Sequence, residues 1–243
     1  MKIVCTSDWH LDQSTAGVDR FEDTCQAIDV SVDAAIAMKA DAYLMCGDLT
    51  DPNNVRSHRA VAKAVQVQMK LCGADVFPIW VVGNHDVIED GSGVTTMSAL
   101  SHCAPDYADH VIAEPCVVAV RDGKRWRRCD VIGLPFTASS HAYNPDEYIR
   151  SLVGKVDAAG PVLIVGHLNH GGITPGSETA DMPRGREVFW PMEAIRECFP
   201  NSVVIGGHYH TPQEYDGCTI IGSMSRLRFD ERDNDLGYLV VDL

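Results

Sequence analysis

The stretch Ala42-Tyr43-Leu44-Met45-Cys46-Gly47-Asp48-Leu49-Thr50-Asp51 is an apolar run of strand length that stops at a glycine and a carboxylate. Four other short apolar runs stop in the same way, at Asp8-Trp9-His10, Gly83-Asn84-His85-Asp86, Gly166-His167 and Gly207-His208-Tyr209-His210. When strands of an α/β sheet deliver polar residues at their carboxyl ends, those residues meet in the crevice beyond the sheet edge, where ligands bind. The repeated ending therefore predicts one shared site, with Asp48 at its centre.

Working outward from Asp48, the chain alternates strand and helix. Residues 2–7 read as a buried strand leading into Asp8. A helix follows over about residues 19–38, because Phe21, Cys25, Ile28, Val32 and Ile36 recur at steps of four and three. After the strand 42–46, a second helix is expected over about 57–72 and a third strand over 76–82. This β-α-β-α-β order implies a parallel sheet with right-handed crossovers. The middle of the chain differs: residues 116–120 and 127–134 flank Asp122-Gly123 and predict an antiparallel hairpin that could carry a second sheet. Asn144-Pro145-Asp146-Glu147 has a cap residue, a proline in the first turn and an acid three residues after the cap, so a helix should run from there to about 156. Further strands are expected over 161–166, 202–206, 219–222 and 237–241. The Gly/Pro-rich span 170–190 reads as a rim or lid of the site.

Composition bounds the rest. The 243 residues are 45% hydrophobic and 22% charged, with no apolar run long enough to cross a bilayer. Met1-Lys2 leads straight into an apolar strand, which is not the layout of a secretory leader, so a cytoplasmic protein is expected. Nine cysteines, an odd number without a C-x-x-C pair, read as free thiols of a reducing compartment. A net charge of −14 argues against a broad basic face for coating nucleic acid. It leaves a phosphate substrate open, because bound divalent cations invert the local field.

The polar strand ends carry the chemistry of a metal pair. Two divalent ions about 3.5–4 Å apart need a bridging ligand and enough imidazoles and carboxylates to complete each shell. Asp48 suits the bridge. Asp8, His10 and His210 suit one ion, and Asn84, His167 and His208 the other. His85 is left over, placed to protonate a leaving alkoxide or to stabilise phosphate charge. Mixed nitrogen and oxygen ligands fit Mn, Fe or Zn, with Mn expected. Singly, each motif is more often a cap or turn than a ligand; five together, supplying two shells, are not. His58, His102, His110, His141 and His170 lack such a setting and are assigned to the surface or to local hydrogen bonds. The basic residues Lys124, Arg125, Arg127 and Arg128 read first as a solvated turn, and Arg184, Arg186, Arg226 and Arg228 as solvated loop charges. Both groups are also the candidates for holding a nucleic-acid backbone.

D-x-H, G-D-x-x-D, G-N-H-D, G-H and G-H-x-H, in this order over nearly the whole chain, resemble the calcineurin-like metallophosphoesterase superfamily. The resemblance implies a four-layer αββα sandwich of two mixed sheets flanked by helices, as a single domain over residues 1–243. It also implies a dimetal centre with Asp8, His10, Asp48, Asn84, His167, His208 and His210 as ligands, and His85 as the catalytic histidine. The Ser/Thr protein phosphatase branch is a poor match, since its G-D-x-x-D-R-G and G-N-H-E are replaced by Gly47-Asp48-Leu49-Thr50-Asp51-Pro52 and Gly83-Asn84-His85-Asp86.

The segment Ile221-Gly222-Ser223-Met224, followed by Phe229-Asp230-Glu231 and Gly237-Tyr238-Leu239, is similar to the end of the nuclease domain in SbcD-type double-strand-break repair nucleases. That likeness implies DNA as substrate; a homodimer and an ATPase partner are further expectations, and the composition predicts no membrane association. Those proteins continue into a DNA-capping region and a segment that binds the ATPase, so a compact nuclease without the capping region is expected. Two alternatives stand beside it. One is a phosphodiesterase for cyclic nucleotides or other small diesters; the other is a non-catalytic scaffold, which the intact ligand set and His85 disfavour.

Overall fold

The computed structural model describes residues 1–51, 57–87, 92–103, 110–121, 128–137, 144–157, 159–176 and 188–243. In chain order the elements are β1 (Lys2–Thr6), β2 (Ser14–Thr15), β3 (Val18–Asp19), α1 (Phe21–Ala37), β4 (Ala42–Cys46), α2 (His58–Cys72), β5 (Phe77–Val81), α3 (Leu100–Cys103), β6 (Val111–Ile112), β7 (Cys116–Arg121), β8 (Arg128–Leu134), α4 (Pro145–Ser151), β9 (Val162–His167), α5 (Met192–Cys198), β10 (Val203–Gly207), β11 (Gln213–Tyr215), β12 (Cys218–Ile220) and β13 (Leu239–Asp242). Short 3-10 turns occur at Asn84–Asp86, Val153–Lys155 and Phe229–Asp233.

Two mixed sheets form, in the strand orders β13-β1-β4-β5-β6 and β11-β12-β10-β9-β8-β7. In the first, β1, β4, β5 and β6 run parallel and β13 pairs antiparallel to β1. In the second, β8, β9, β10 and β12 are parallel, with β7 and β11 antiparallel at the edges. The period-2 alternation of side chains along each strand separates two apolar faces. Ile3, Cys5, Ala42, Leu44, Ile79 and Val81 face Val131, Leu163, Val165 and Ile205 in a core between the sheets. The intervening residues Val4, Tyr43, Met45 and Trp80 face outward, against Ile28 and Val32 of α1 and Ala64 and Leu71 of α2. On the far side, Ile132, Ile164 and Val204 pack against Ile149 of α4 and Ile195 of α5. The result is the expected order of helices, sheet, sheet, helices.

Local chemistry explains the element ends. Ser57 caps α2 by accepting from the Ala60 N–H at 3.0 Å, and Asn144 caps α4 by accepting from Asp146. The helix expected to reach 156 stops at Ser151 and resumes only as the short turn Val153–Lys155, where Gly154 interrupts it. β12 stops at Ile220, before the left-handed Gly222. The last strand begins at Leu239, with Gly237 outside it. The β2-β3 and β11-β12 hairpins turn on Ala16-Gly17 and Asp216-Gly217, each with two consecutive positive φ angles, the backbone twist that two-residue hairpins favour.

Of the histidines assigned to the surface or to local hydrogen bonds, two are buried, and His170 keeps a local bond, its Nδ1 lying 3.3 Å from the Gly171 carbonyl oxygen. His110 is buried with its Nε2 3.0 Å from Gln68 Oε1 of α2, and His170 is buried against the Tyr215 ring at 5.8 Å. Burial wins in both cases because their neighbours in sequence continue an apolar strand or cover the outer core. His58 and His102 are exposed. His141 and the turn of the β7-β8 hairpin, with Asp122 and Gly123, lie outside the described residues. All nine cysteines are free thiols. Among the described residues no helix is long and apolar enough to cross a membrane.

Candidate metal centre

Five parallel strands, three from one sheet and two from the other, deliver the polar residues at their carboxyl ends. Asp8 and His10 follow β1, Asp48 follows β4, Asn84 and His85 open the turn after β5, His167 ends β9, and His208 and His210 follow β10. The chain must bend sharply at these ends. Asp8, His10, Asp48 and His208 all take positive φ, a conformation costing on the order of 1–3 kcal/mol for each residue other than glycine. Cross-strand hydrogen bonds hold them there: Asp8 N–H donates to Gly47 O and His10 N–H to Asp48 O, both at 3.0 Å, and His208 N–H donates to the Asp8 carboxylate at 3.1 Å. The glycines of the motifs permit the approach. A Cβ at Gly83 would lie 2.2 Å from Asp48 Oδ1, and one at Gly47 would lie 2.2 Å from His167 Nδ1.

The donor atoms gather in two groups. In the first, His10 Nε2 is 4.0 Å from Asp8 Oδ1 and 3.1 Å from His210 Nε2. In the second, Asn84 Oδ1 is 2.7 Å from His167 Nε2 and 3.1 Å from His208 Nδ1, and those two ring nitrogens are 2.9 Å apart. Asp48 Oδ2 lies between the groups, 3.5 Å from His10 Nε2 and 3.4 Å from His167 Nε2. Asp8, His10 and His210, and likewise Asp48, His167 and His208, hold ligand atoms within 4.8 Å of one another. Apart from the half-buried Asn84, the seven expected ligands are buried.

The donor set fits divalent cations. His167 Nδ1 faces the Cys46 carbonyl at 3.0 Å and must donate to it, so in the neutral ring Nε2 presents a lone pair toward Asn84 Oδ1, itself an acceptor. Acceptors converging on acceptors are reconciled by a positive charge among them, a proton on His167 Nε2 or a cation in its place. The electrostatics agree. Burial works against the Asp48 charge, but the imidazoles of His167, His85 and His10 outweigh it and hold this carboxyl well below the usual range. Burial pushes the Asp8 carboxyl up, with Asp48 adding to the shift. His10 is held neutral by burial. His167 is raised to about 10, where the facing Asp48 carboxylate overcomes burial. Cation binding must displace that proton.

Sequence reading missed the groups that hold these residues in place. Asp86 is fully buried and accepts from the N–H groups of Asp48 and Leu49 at 3.0 Å, Gly83 at 2.9 Å and the Thr96 hydroxyl at 2.8 Å. One carboxylate thus joins the turns that carry Asp48 and Asn84. Burial, reinforced by the Asp48 charge, raises it to about 6. Ser7 Oγ bridges the Asp8 carboxylate and the Cys46 carbonyl. Glu231 faces His210 Nδ1 at 2.8 Å. Asp86 and Glu231 stood within the quoted motifs, and for Glu231 a signal was available: an imidazole bound to a metal through one nitrogen donates from the other to a carboxylate, carbonyl or water.

The basic candidates are placed differently. Arg226 spends its guanidinium on its own loop, donating to Arg232 O and Asn234 O at 2.9 Å. Arg128 pairs with Asp130 at 2.6 Å. Arg228 is half-buried beside Glu231. Lys124, Arg125, Arg127, Arg184 and Arg186 lie outside the described residues.

Residues 1–212 match the sequence profile of the calcineurin-like phosphoesterases. The SbcD subunit of the SbcCD nuclease from Escherichia coli K12 is 24% identical over 251 residues, covering 94% of this chain and 59% of that protein. The chain therefore spans about three fifths of the length of this curated relative. Among solved structures, a dimetal phosphatase from Danio rerio superposes with a TM-score of 0.54 at 11% identity, over 92% of this chain and 88% of its own. A 5'-nucleotidase from Candida albicans gives 0.53 at 13% identity, over 92% of this chain and 45% of its own. Both share the fold. The chain belongs to the calcineurin-like phosphoesterase family and is a metal-dependent phosphoesterase.

Proposed function

Starting from that membership, we propose that the chain is a nuclease that hydrolyses phosphodiester bonds of DNA in repair, using two divalent cations, manganese first among them. The observation that carries the dimetal reading is the position of Asp48 Oδ2, within 3.5 Å of a ring nitrogen from each donor group. The choice of DNA is supported by the similarity to a nuclease component along 94% of the chain. Nine free thiols accord with work in the reducing cytoplasm.

On this reading Asp8, His10 and His210 hold one cation, Asn84, His167 and His208 the other, and Asp48 bridges them. When bound, the pair supplies Lewis-acid polarisation of the phosphoryl group and lowers the pKa of water. The remaining work falls to His85. Its ring is the partly open one, with a side chain 20% exposed, and its Nε2 lies 3.7 Å from Asp48 Oδ2. His85 also falls within ligand distance of His10 and Asp48. His10 is already committed to Asp8 and His210, however, and an open imidazole at the mouth suits proton transfer better than a closed shell. His85 Nε2 gives a proton to the leaving alkoxide, and its backbone is fixed for that task by the Thr50 hydroxyl, which donates to its carbonyl at 3.1 Å.

The test is hydrolysis with Mn(II) of single-stranded DNA, duplex DNA, cyclic AMP and bis-p-nitrophenyl phosphate. Cleavage of either DNA is expected. Turnover of cyclic AMP with both DNAs left intact would replace the nuclease reading with a small-diester phosphodiesterase.

A further inference from the structure

Beyond the five strand-end motifs that supply the expected ligands, one acidic side chain is drawn into the site. Glu231 is 3% exposed in a chain whose 34 acidic residues have ample surface to occupy. A buried carboxylate is costly unless every oxygen is matched to a donor, and here both are. Oε1 lies 2.8 Å from His210 Nδ1, while Oε2 accepts from the Leu227 N–H at 2.7 Å and the Arg228 N–H at 3.3 Å. Because a carboxylate can only accept, His210 must carry its hydrogen on Nδ1. Its Nε2 lone pair then points toward His10 Nε2, 3.1 Å away.

The two donor groups are unequal in this respect. His167 gives its Nδ1 hydrogen to a neutral carbonyl, that of Cys46, whereas His210 gives its own to a charged carboxylate. A carboxylate partner fixes the tautomer and raises the basicity of the ligating nitrogen more than a carbonyl does. The same carboxylate also anchors the following loop. Leu227 O accepts from Thr15 Oγ1 at 2.7 Å, Arg226 closes the loop onto Arg232 O and Asn234 O, and Asn234 Nδ2 reaches Thr211 Oγ1 at 3.2 Å.

We propose that Glu231 is a positioning residue that orients His210 for the cation shared with Asp8 and His10, and that it couples occupancy of that position to the order of the loop at Leu227 and Arg228. This rests on the dimetal reading of the site and is independent of the substrate.

The experiment uses Mn(II) alone, titrated into the wild type, Glu231→Gln and Glu231→Ala, with folding checked by circular dichroism and amide exchange followed at Leu227 and Arg228. The wild type should bind two ions and slow exchange at both amides. Glu231→Ala should lose about 10–100-fold in affinity at one position and keep the other. It should also lose the Mn(II)-dependent protection. Glu231→Gln, whose amide oxygen still accepts from Nδ1, should fall between the two. Zinc-loaded protein, being diamagnetic, should show the Nδ1–H tautomer of His210 by nitrogen NMR in the wild type and a mixture in Glu231→Ala. Folded variants that bind both ions with wild-type affinity overturn the proposal. Equal weakening of both positions also overturns it, by showing a general structural role. A wild type that binds no Mn(II) refutes the dimetal reading itself, and that failure is visible before any variant is compared.

Discussion

Asp48 holds His85 at two points: its Oδ1 accepts the His85 backbone N–H at 3.0 Å, and its Oδ2 lies 3.7 Å from the His85 Nε2. The proposed bridging carboxylate and the proposed proton donor are therefore adjacent. His85→Asn keeps the backbone contact and removes only the imidazole. It should retain both ions by elemental analysis and lose roughly 10²–10⁴-fold in rate. Metal content falling together with activity would make His85 a ligand instead.

Asp48→Asn should abolish turnover and lower the occupancy of both positions, because one oxygen within 3.5 Å of a nitrogen in each group serves both. Wild-type turnover persisting in excess chelator would contradict metal dependence.

Asp86→Ala would strand the N–H groups of Asp48, Leu49 and Gly83 in a buried setting. Each unsatisfied donor costs about 1–3 kcal/mol, so the urea midpoint should fall substantially, and the affinity for both ions with it. An unchanged midpoint would show that these amides find other partners.

Gly83→Ala places a methyl group 2.2 Å from Asp48 Oδ1 and 2.3 Å from Asp48 N. The Asp48 carboxylate must move, and small misplacements of a group in a catalytic site are expensive in rate. Activity on bis-p-nitrophenyl phosphate should drop by about 100-fold or more. A variant with wild-type kcat would show that the turn can absorb the methyl group.

Replacing Lys124, Arg125, Arg127 and Arg128 with Gln tests the DNA reading. Each lost contact to a single strand should flatten the salt dependence of binding by about 0.7 in slope, while bis-p-nitrophenyl phosphate hydrolysis stays nearly constant. Arg128 should contribute least, since Asp130 already holds it. Unaltered DNA cleavage relative to the small diester would remove this hairpin from the interface.

The strands and their polar endings were legible because period-2 alternation and a terminal ligand both leave local traces: Val4, Tyr43 and Trp80 turn outward where Ile3, Leu44 and Ile79 turn inward. That is why all seven proposed ligands and His85 come together in one place. Asp86 and Glu231 escaped notice because their roles depend on backbone N–H groups and an imidazole brought near only by the fold; Asp86 meets Asp48 from 38 positions away. α5 lies just past the span 170–190 read as a rim or lid, in a stretch to which no element was assigned. The β11-β12 hairpin carried a strong turn signal in Asp216-Gly217, but Gln213-Glu214-Tyr215 lacks the apolar alternation that would mark a strand. His110 looked like a surface residue because nothing nearby in sequence reveals that Gln68 waits inside to receive it.

The Asp8 carboxylate accepts the N–H of His208 across a separation of 200 residues. During synthesis the amino-terminal part of a chain emerges first. A nascent chain that has released only β1 to β6 holds Asp8, His10, Asp48 and Asn84 but lacks His167, His208 and His210. Neither cation position can then be finished. The site is thus incomplete until the residues that follow β10 have left the ribosome, so a stalled or prematurely terminated product carries only part of the donor set.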